Sequence, residues 1–128
     1  MQPVPNRIHF LHRLSILVYM DDCIFCKIVA GEIPAHKTFE NSEFIAFPDI
    51  HPKAPGHTLL IPKVHYQWFD ELPDELYAKL FENAKMLARE LKQKNGADYV
   101  HLSIVGKDVP PVHVHLIPRT MKDAGPEV

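Results

Sequence analysis

A chain of 128 residues has room for one compact domain around a single hydrophobic core. Hydrophobic residues make up 46% and charged residues 23%, ordinary values for an ordered soluble protein. The net charge of −2 excludes a general nucleic-acid binder, whose non-specific affinity comes from clustered Lys and Arg, so any phosphate must be met by a local site. Two cysteines, Cys23 and Cys26, are too few to staple a secreted scaffold, and nothing has the makeup of a signal peptide. The apolar run Ile16-Leu17-Val18-Tyr19-Met20 is far shorter than the ~20 residues a membrane-spanning helix needs, so a cytoplasmic setting without membrane contact is expected.

Residues 1–20 read as an N-terminal extension outside the core, because Pro3 and Pro5 discourage a regular element, and residues 21–128 as the domain. Asp21 or Asp22 is expected to cap a short helix through Cys23–Val29, closed by Gly31. Two strands are expected at about 36–40 and 43–48, with Asn41-Ser42 as the turn. Thr58-Leu59-Leu60-Ile61 reads as a buried strand stopped by Pro62. Pro73 suits the first position of a long helix, in which Leu76, Leu80, Ala84, Leu87, Ala88 and Leu91 form one apolar face until Asn95-Gly96. Strands at roughly 98–105 and 112–117 complete an α+β fold: an antiparallel sheet of about five strands with one long and one short helix.

Nine histidines are many for this length, and two of them stand on the last strand. In Val112-His113-Val114-His115-Leu116-Ile117 a period of two sends His113 and His115 to one face while Val112, Val114 and Leu116 enter the core. Spacing alone leaves three readings open: spare histidines on a partly exposed sheet face, a metal site, or a phosphate-handling site.

The segment Val109-Pro110-Pro111-Val112-His113-Val114-His115-Leu116-Ile117-Pro118-Arg119 resembles the signature of the histidine-triad (HIT) superfamily, His-x-His-x-His followed by apolar residues. Three further blocks resemble its Hint-like branch, in the same order: Cys23–Ile28 with Gly31-Glu32-Ile33-Pro34, Phe47–Pro52 with Ala54-Pro55-Gly56-His57, and Leu59–His65. Together they span about residues 21–119.

The resemblance implies hydrolysis or transfer at the α-phosphate of a nucleotide through a nucleotidyl-histidine intermediate. By position, His113 matches the nucleophile and His115 the third histidine, while His57 matches a further histidine near the phosphate or leaving group. A neutral imidazole attacks through Nε2 when an acceptor holds Nδ1–H, and in the family that acceptor is a backbone carbonyl. Asp49 resembles the carboxylate that binds both ribose hydroxyls, although an Asp before Ile-x-Pro is also turn-like. Phe47, Ile50, Ile24, Phe25 and Ile28 would line the base pocket, and Asp108 and Val109 would stand near the phosphate.

Two positions depart from the family pattern. The first triad histidine is replaced by Pro111, which has neither a side-chain donor nor a backbone N–H. Asp108 stands where the Hint-like branch has a serine that meets phosphate, and Lys107 beside it offers a compensating charge.

Cys23 and Cys26, at C-x-x-C spacing, suit a tetrahedral metal site, a redox pair, or two quiet buried thiols. The resemblance adds His65 and the first triad histidine as zinc ligands, so three of four positions are filled and water, His36 or His101 would complete the set. No cofactor is expected to be required for catalysis. The activity implied is purine nucleoside phosphoramidate hydrolysis by a homodimer. The alternatives are a dinucleoside polyphosphate hydrolase, or a nucleotide-binding module whose turnover is lost through Pro111 and Asp108.

Overall fold

The computed structural model describes residues 23–104 and 111–123, so the expectations placed on residues 1–20, Asp108 and Val109 lie outside the described residues. Helix α1, Ile24–Val29, begins at Cys23 rather than at an aspartate: the Cys23 sulfur accepts the Cys26 amide at 3.1 Å and thus serves as the N-cap. Gly31 follows the helix at φ 82°, a left-handed conformation that glycine adopts without steric cost. Strand β1 is only Phe39–Glu40, and β2 is Phe44–Pro48. Between them the Asn41 side chain accepts the amides of Glu43 and Phe44, fixing the turn.

Strand β3, Thr58–Pro62, includes the proline expected to stop it. The reason is local. Its neighbour on one side, β2, pairs along its full length, but its neighbour on the other side reaches only Leu60, so the ring of Pro62 interrupts no second ladder. A single 3₁₀ turn, Phe69–Glu71, then leads to helix α2, Asp74–Asn95. Pro73 caps α2 instead of starting it: its ψ of 148° is extended, and its carbonyl accepts the Tyr77 amide. Asp74 and Glu75 in the first turn and Lys92 and Lys94 in the last complement the helix dipole, and Gly96 ends it at φ 62°.

Strands β4, Tyr99–Ile104, and β5, Val114–Arg119, complete an antiparallel sheet of order β1-β2-β3-β5-β4. Strand β5 pairs with β4 along its full length but with β3 only over Val114–Leu116, which is why Pro118 is accommodated. Both faces of the sheet are covered. Phe44, Ala46, Leu60, Val114 and Leu116 pack with Leu80, Ala84 and Leu87 of α2, whereas Ile45, Phe47, Leu59 and Ile61 pack with Phe25, Cys26 and Ile28 of α1. No helix among the described residues is long and apolar enough to cross a membrane.

Candidate active site

His113 lies just before β5, beneath α1, with its ring centroid 5.0 Å from that of Phe25 and only 6% of the residue exposed. It is not a spare surface histidine. Its Nδ1 is 2.9 Å from the Pro111 carbonyl oxygen. A carbonyl can only accept, so the neutral ring carries its proton on Nδ1 and its lone pair on Nε2. Pro111, which departs from the expected pattern, therefore still supplies through its carbonyl the contact that orients the His113 ring.

His115, two residues on, projects to the same side, and the two rings meet edge to face at 4.9 Å. Its Nδ1 is 2.9 Å from His57 Nε2. His57 and Asp49 arrive from the two ends of the β2–β3 connection, which the Asp49 amide closes on the His57 carbonyl at 3.0 Å. The Lys53 amide donates to His57 Nδ1 at 3.0 Å, so the proton of His57 is on Nε2. There it faces His115 Nδ1 and, at 3.3 Å, Asp49 Oδ2. A proton donated to His115 Nδ1 leaves the proton of His115 on Nε2. One backbone amide thus sets the tautomers of two imidazoles, and the site presents a lone pair on His113 beside an N–H on His115.

Charge agrees with this reading. Burial pushes His115 down to about 4, aided by the neighbouring His113 and His57, while Asp49 opposes. Burial also lowers His57. Both rings are neutral near pH 7. Asp49 carries two duties, since Oδ1 accepts the His51 amide at 2.9 Å as a turn aspartate while Oδ2 faces the two histidines.

The expected base-pocket residues divide. Phe25, Ile28 and Phe47 are buried in the α1-side core, whereas Ile24 is 46% and Ile50 80% exposed, unusual for large apolar side chains. A cavity of about 340 Å³ lies on the other side, between Pro48, Asp49, His57 and Thr58 and the α2 residues Leu91 and Lys94. Neither His113 nor His115 lines it.

Two clusters among the described residues have metal-ligand composition. In the first, Asp49, His57 and His115 lie close together, but the Lys53 amide holds the His57 proton on Nε2, the atom a metal would need. That cluster is a hydrogen-bonded relay. The second, Cys23, Cys26 and His65, is different: its donor atoms lie within 4.8 Å of one another, both thiols are buried, and Cys26 Sγ is 2.8 Å from His65 Nδ1. The Cys26 hydrogen bond draws the Cys23 thiol down to about 5 despite burial, and raises that of Cys26 correspondingly. Two sulfurs and an imidazole are donors that suit zinc. Neither His36 nor His101 joins them as a fourth ligand; His36 is exposed, and His101 on β4 is close enough to bear electrostatically on His57.

The residues that sequence reasoning missed act through their backbones: the Lys53 amide and, at 2.7 Å from the Val112 amide, the Tyr66 carbonyl. Side-chain identity carries no signal for either.

The HIT domain profile matches residues 30–122. An uncharacterized HIT-like protein of Methanocaldococcus jannaschii is 43% identical over 102 residues, covering 76% of this chain and 78% of its own. The adenosine 5′-monophosphoramidase HNT1 of Saccharomyces cerevisiae is 40% identical over 110 residues, covering 80% of this chain and 66% of its own. Among solved structures, a zinc-bound histidine triad family protein from Mycobacterium smegmatis superposes with a TM-score of 0.76 at 32% identity, over 81% of this chain and 79% of its own.

Proposed function

Because this chain belongs to the HIT domain family, we propose that it hydrolyses purine nucleoside phosphoramidates through a nucleotidyl intermediate on His113. The observation that carries the reading is the Nδ1 contact of His113 with the Pro111 carbonyl, which selects the neutral tautomer whose lone pair is on Nε2. Nε2 attacks the α-phosphorus, the P–N bond breaks, and the amine leaves as it takes up a proton from the medium. The N–H of His115 Nε2 meets the phosphoryl oxygens, where negative charge grows. Water then splits the P–N bond to His113 and releases the nucleotide. Asp49 accepts the ribose hydroxyls on Oδ2, and Ile24 and Ile50 close over the base. The activity named for the yeast relative supports this choice of substrate class.

Cys23, Cys26 and His65 would hold a zinc ion, which ties α1 to the segment after β3 and takes no part in the reaction. A homodimer fits the outer edge of β4, whose backbone has no strand beyond it among the described residues and where Leu102 is exposed. One observation favours a second reading, nucleotide binding without turnover: Pro111 gives phosphate no donor.

The protein is incubated with an adenosine phosphoramidate and with a dinucleoside polyphosphate, alongside His113→Ala and Pro111→His. We expect amine release from the first substrate, none from His113→Ala, and equal or faster release from Pro111→His. Purine nucleotide binding without amine release selects the second reading, and preference for the dinucleotide selects a polyphosphate hydrolase. Full activity in His113→Ala refutes the mechanism.

A further inference from the structure

We infer that the Ser103 hydroxyl on β4 is a second donor to the phosphoryl oxygens, standing beside the N–H of His115 and supplying what Pro111 cannot. Proline has neither a side-chain donor nor a backbone N–H. This inference deepens the phosphoramidase reading and rests on it for the place of the phosphate.

Strand β5 runs between β3 and β4, so His115 has a cross-strand neighbour on each side. On β3 it is Leu59, which packs into the α1-side core; on β4 it is Ser103. Directly opposed residues of antiparallel strands share a face, with Cβ atoms about 5 Å apart. The packing of β4 agrees. Val100 and Ile104 lie against the α2-side core, so the alternation Tyr99-Val100-His101-Leu102-Ser103-Ile104 turns Tyr99, His101 and Ser103 to the face of His115. His115 turns Nδ1 to His57, which precedes β3. Its Nε2, on the other edge of the ring, is therefore on the side of β4. The α1-side core draws on β2 and β3 and takes no residue from β4, so among the described residues α1 leaves this flank uncovered. Ser103 is half-buried, and among the described residues its hydroxyl makes no hydrogen bond. Next to the N–H of His115, that hydroxyl can donate to the phosphoryl group the N–H already meets, and two aimed donors hold developing charge better than one. His101 shares the face but stands one row along, opposite Ile117, where it bears electrostatically on His57.

The test compares the full-length parent with Ser103→Ala and Ser103→Thr in two assays: amine release from an adenosine phosphoramidate, and equilibrium binding of adenosine 5′-monophosphate and of adenosine. Loss of one hydrogen bond to a charged oxygen should lower kcat/KM of Ser103→Ala about tenfold and weaken its binding of the monophosphate, while adenosine binds as it does to the parent. Ser103→Thr keeps the hydroxyl on a residue that suits a strand and should stay close to the parent in both assays. Unchanged kcat/KM in Ser103→Ala overturns the inference. So does an equal loss of affinity for the monophosphate and for adenosine, the mark of a disturbed pocket, or a Ser103→Thr as impaired as Ser103→Ala. If the parent binds the monophosphate but releases no amine, the phosphoramidase reading fails and binding alone decides. A loss confined to the monophosphate then keeps Ser103 at the phosphate, and the lack of one removes it. A parent that neither releases amine nor binds the monophosphate overturns both.

Discussion

Consider a denaturant titration performed at fixed protein concentration near pH 7 and again near pH ~4.5. His115 has an ordinary value of 6.5 and is lowered to about 4 in the folded protein, mainly by burial. Between those values the unfolded chain binds a proton that the folded chain does not, so stability falls as pH falls through this window. Above it the group is neutral in both states and costs nothing. The full difference is worth roughly 3 kcal/mol, and at pH ~4.5 roughly 2.5 kcal/mol of it is lost. The side chain is only 21% exposed, so solvent screening removes little of this. His57 is lowered too and contributes with the same sign. The control is His115→Gln, which has an amide and no titrating ring. It should lose about 2.5 kcal/mol less than the parent between the two pH values, because it lacks the ring that takes up the proton on unfolding. Equal losses in parent and variant would refute the assignment of a buried, neutral His115.

Four further outcomes follow from the packing and the site. Leu80 is fully buried between α2 and the sheet, so Leu80→Ala should lower the unfolding free energy by about 2–5 kcal/mol, read from the urea midpoint. A Cβ on Gly96 meets nothing within 4 Å, so Gly96→Ala costs only the left-handed backbone, about 1 kcal/mol and a few degrees of melting temperature. Gly56→Ala should cost more than Gly96→Ala in the same melt, because its Cβ would lie 2.6 Å from the Asn95 side chain. Asp49→Asn should raise KM about tenfold for a ribonucleoside phosphoramidate and far less for its 2′,3′-dideoxy analogue, since the proposed hydroxyl contacts would be worth about 1.4 kcal/mol and the analogue lacks them. Equal effects on both substrates would remove the ribose from the account of Asp49.

Much of the architecture follows from periodicity and punctuation that can be read along the chain. The three- and four-residue spacing from Leu76 to Leu91 places the buried stripe of α2, and Gly96 stops the helix because it takes a positive φ cheaply. The alternation in residues 112–117 puts His113 and His115 on one side and Val112, Val114 and Leu116 on the other. Those signals are local, so they survive without knowledge of neighbours. Strand ends escape a local reading where pairing is non-local: Pro62 and Pro118 belong to strands because the ladder between β3 and β5 stops short of both. The cap of α1 is Cys23, whose sulfur accepts the Cys26 amide. Which imidazole nitrogen carries each proton was beyond the sequence altogether. It is decided by the Pro111 carbonyl and the Lys53 amide, backbone groups that every chain possesses and that only folding aims at His113 and His57.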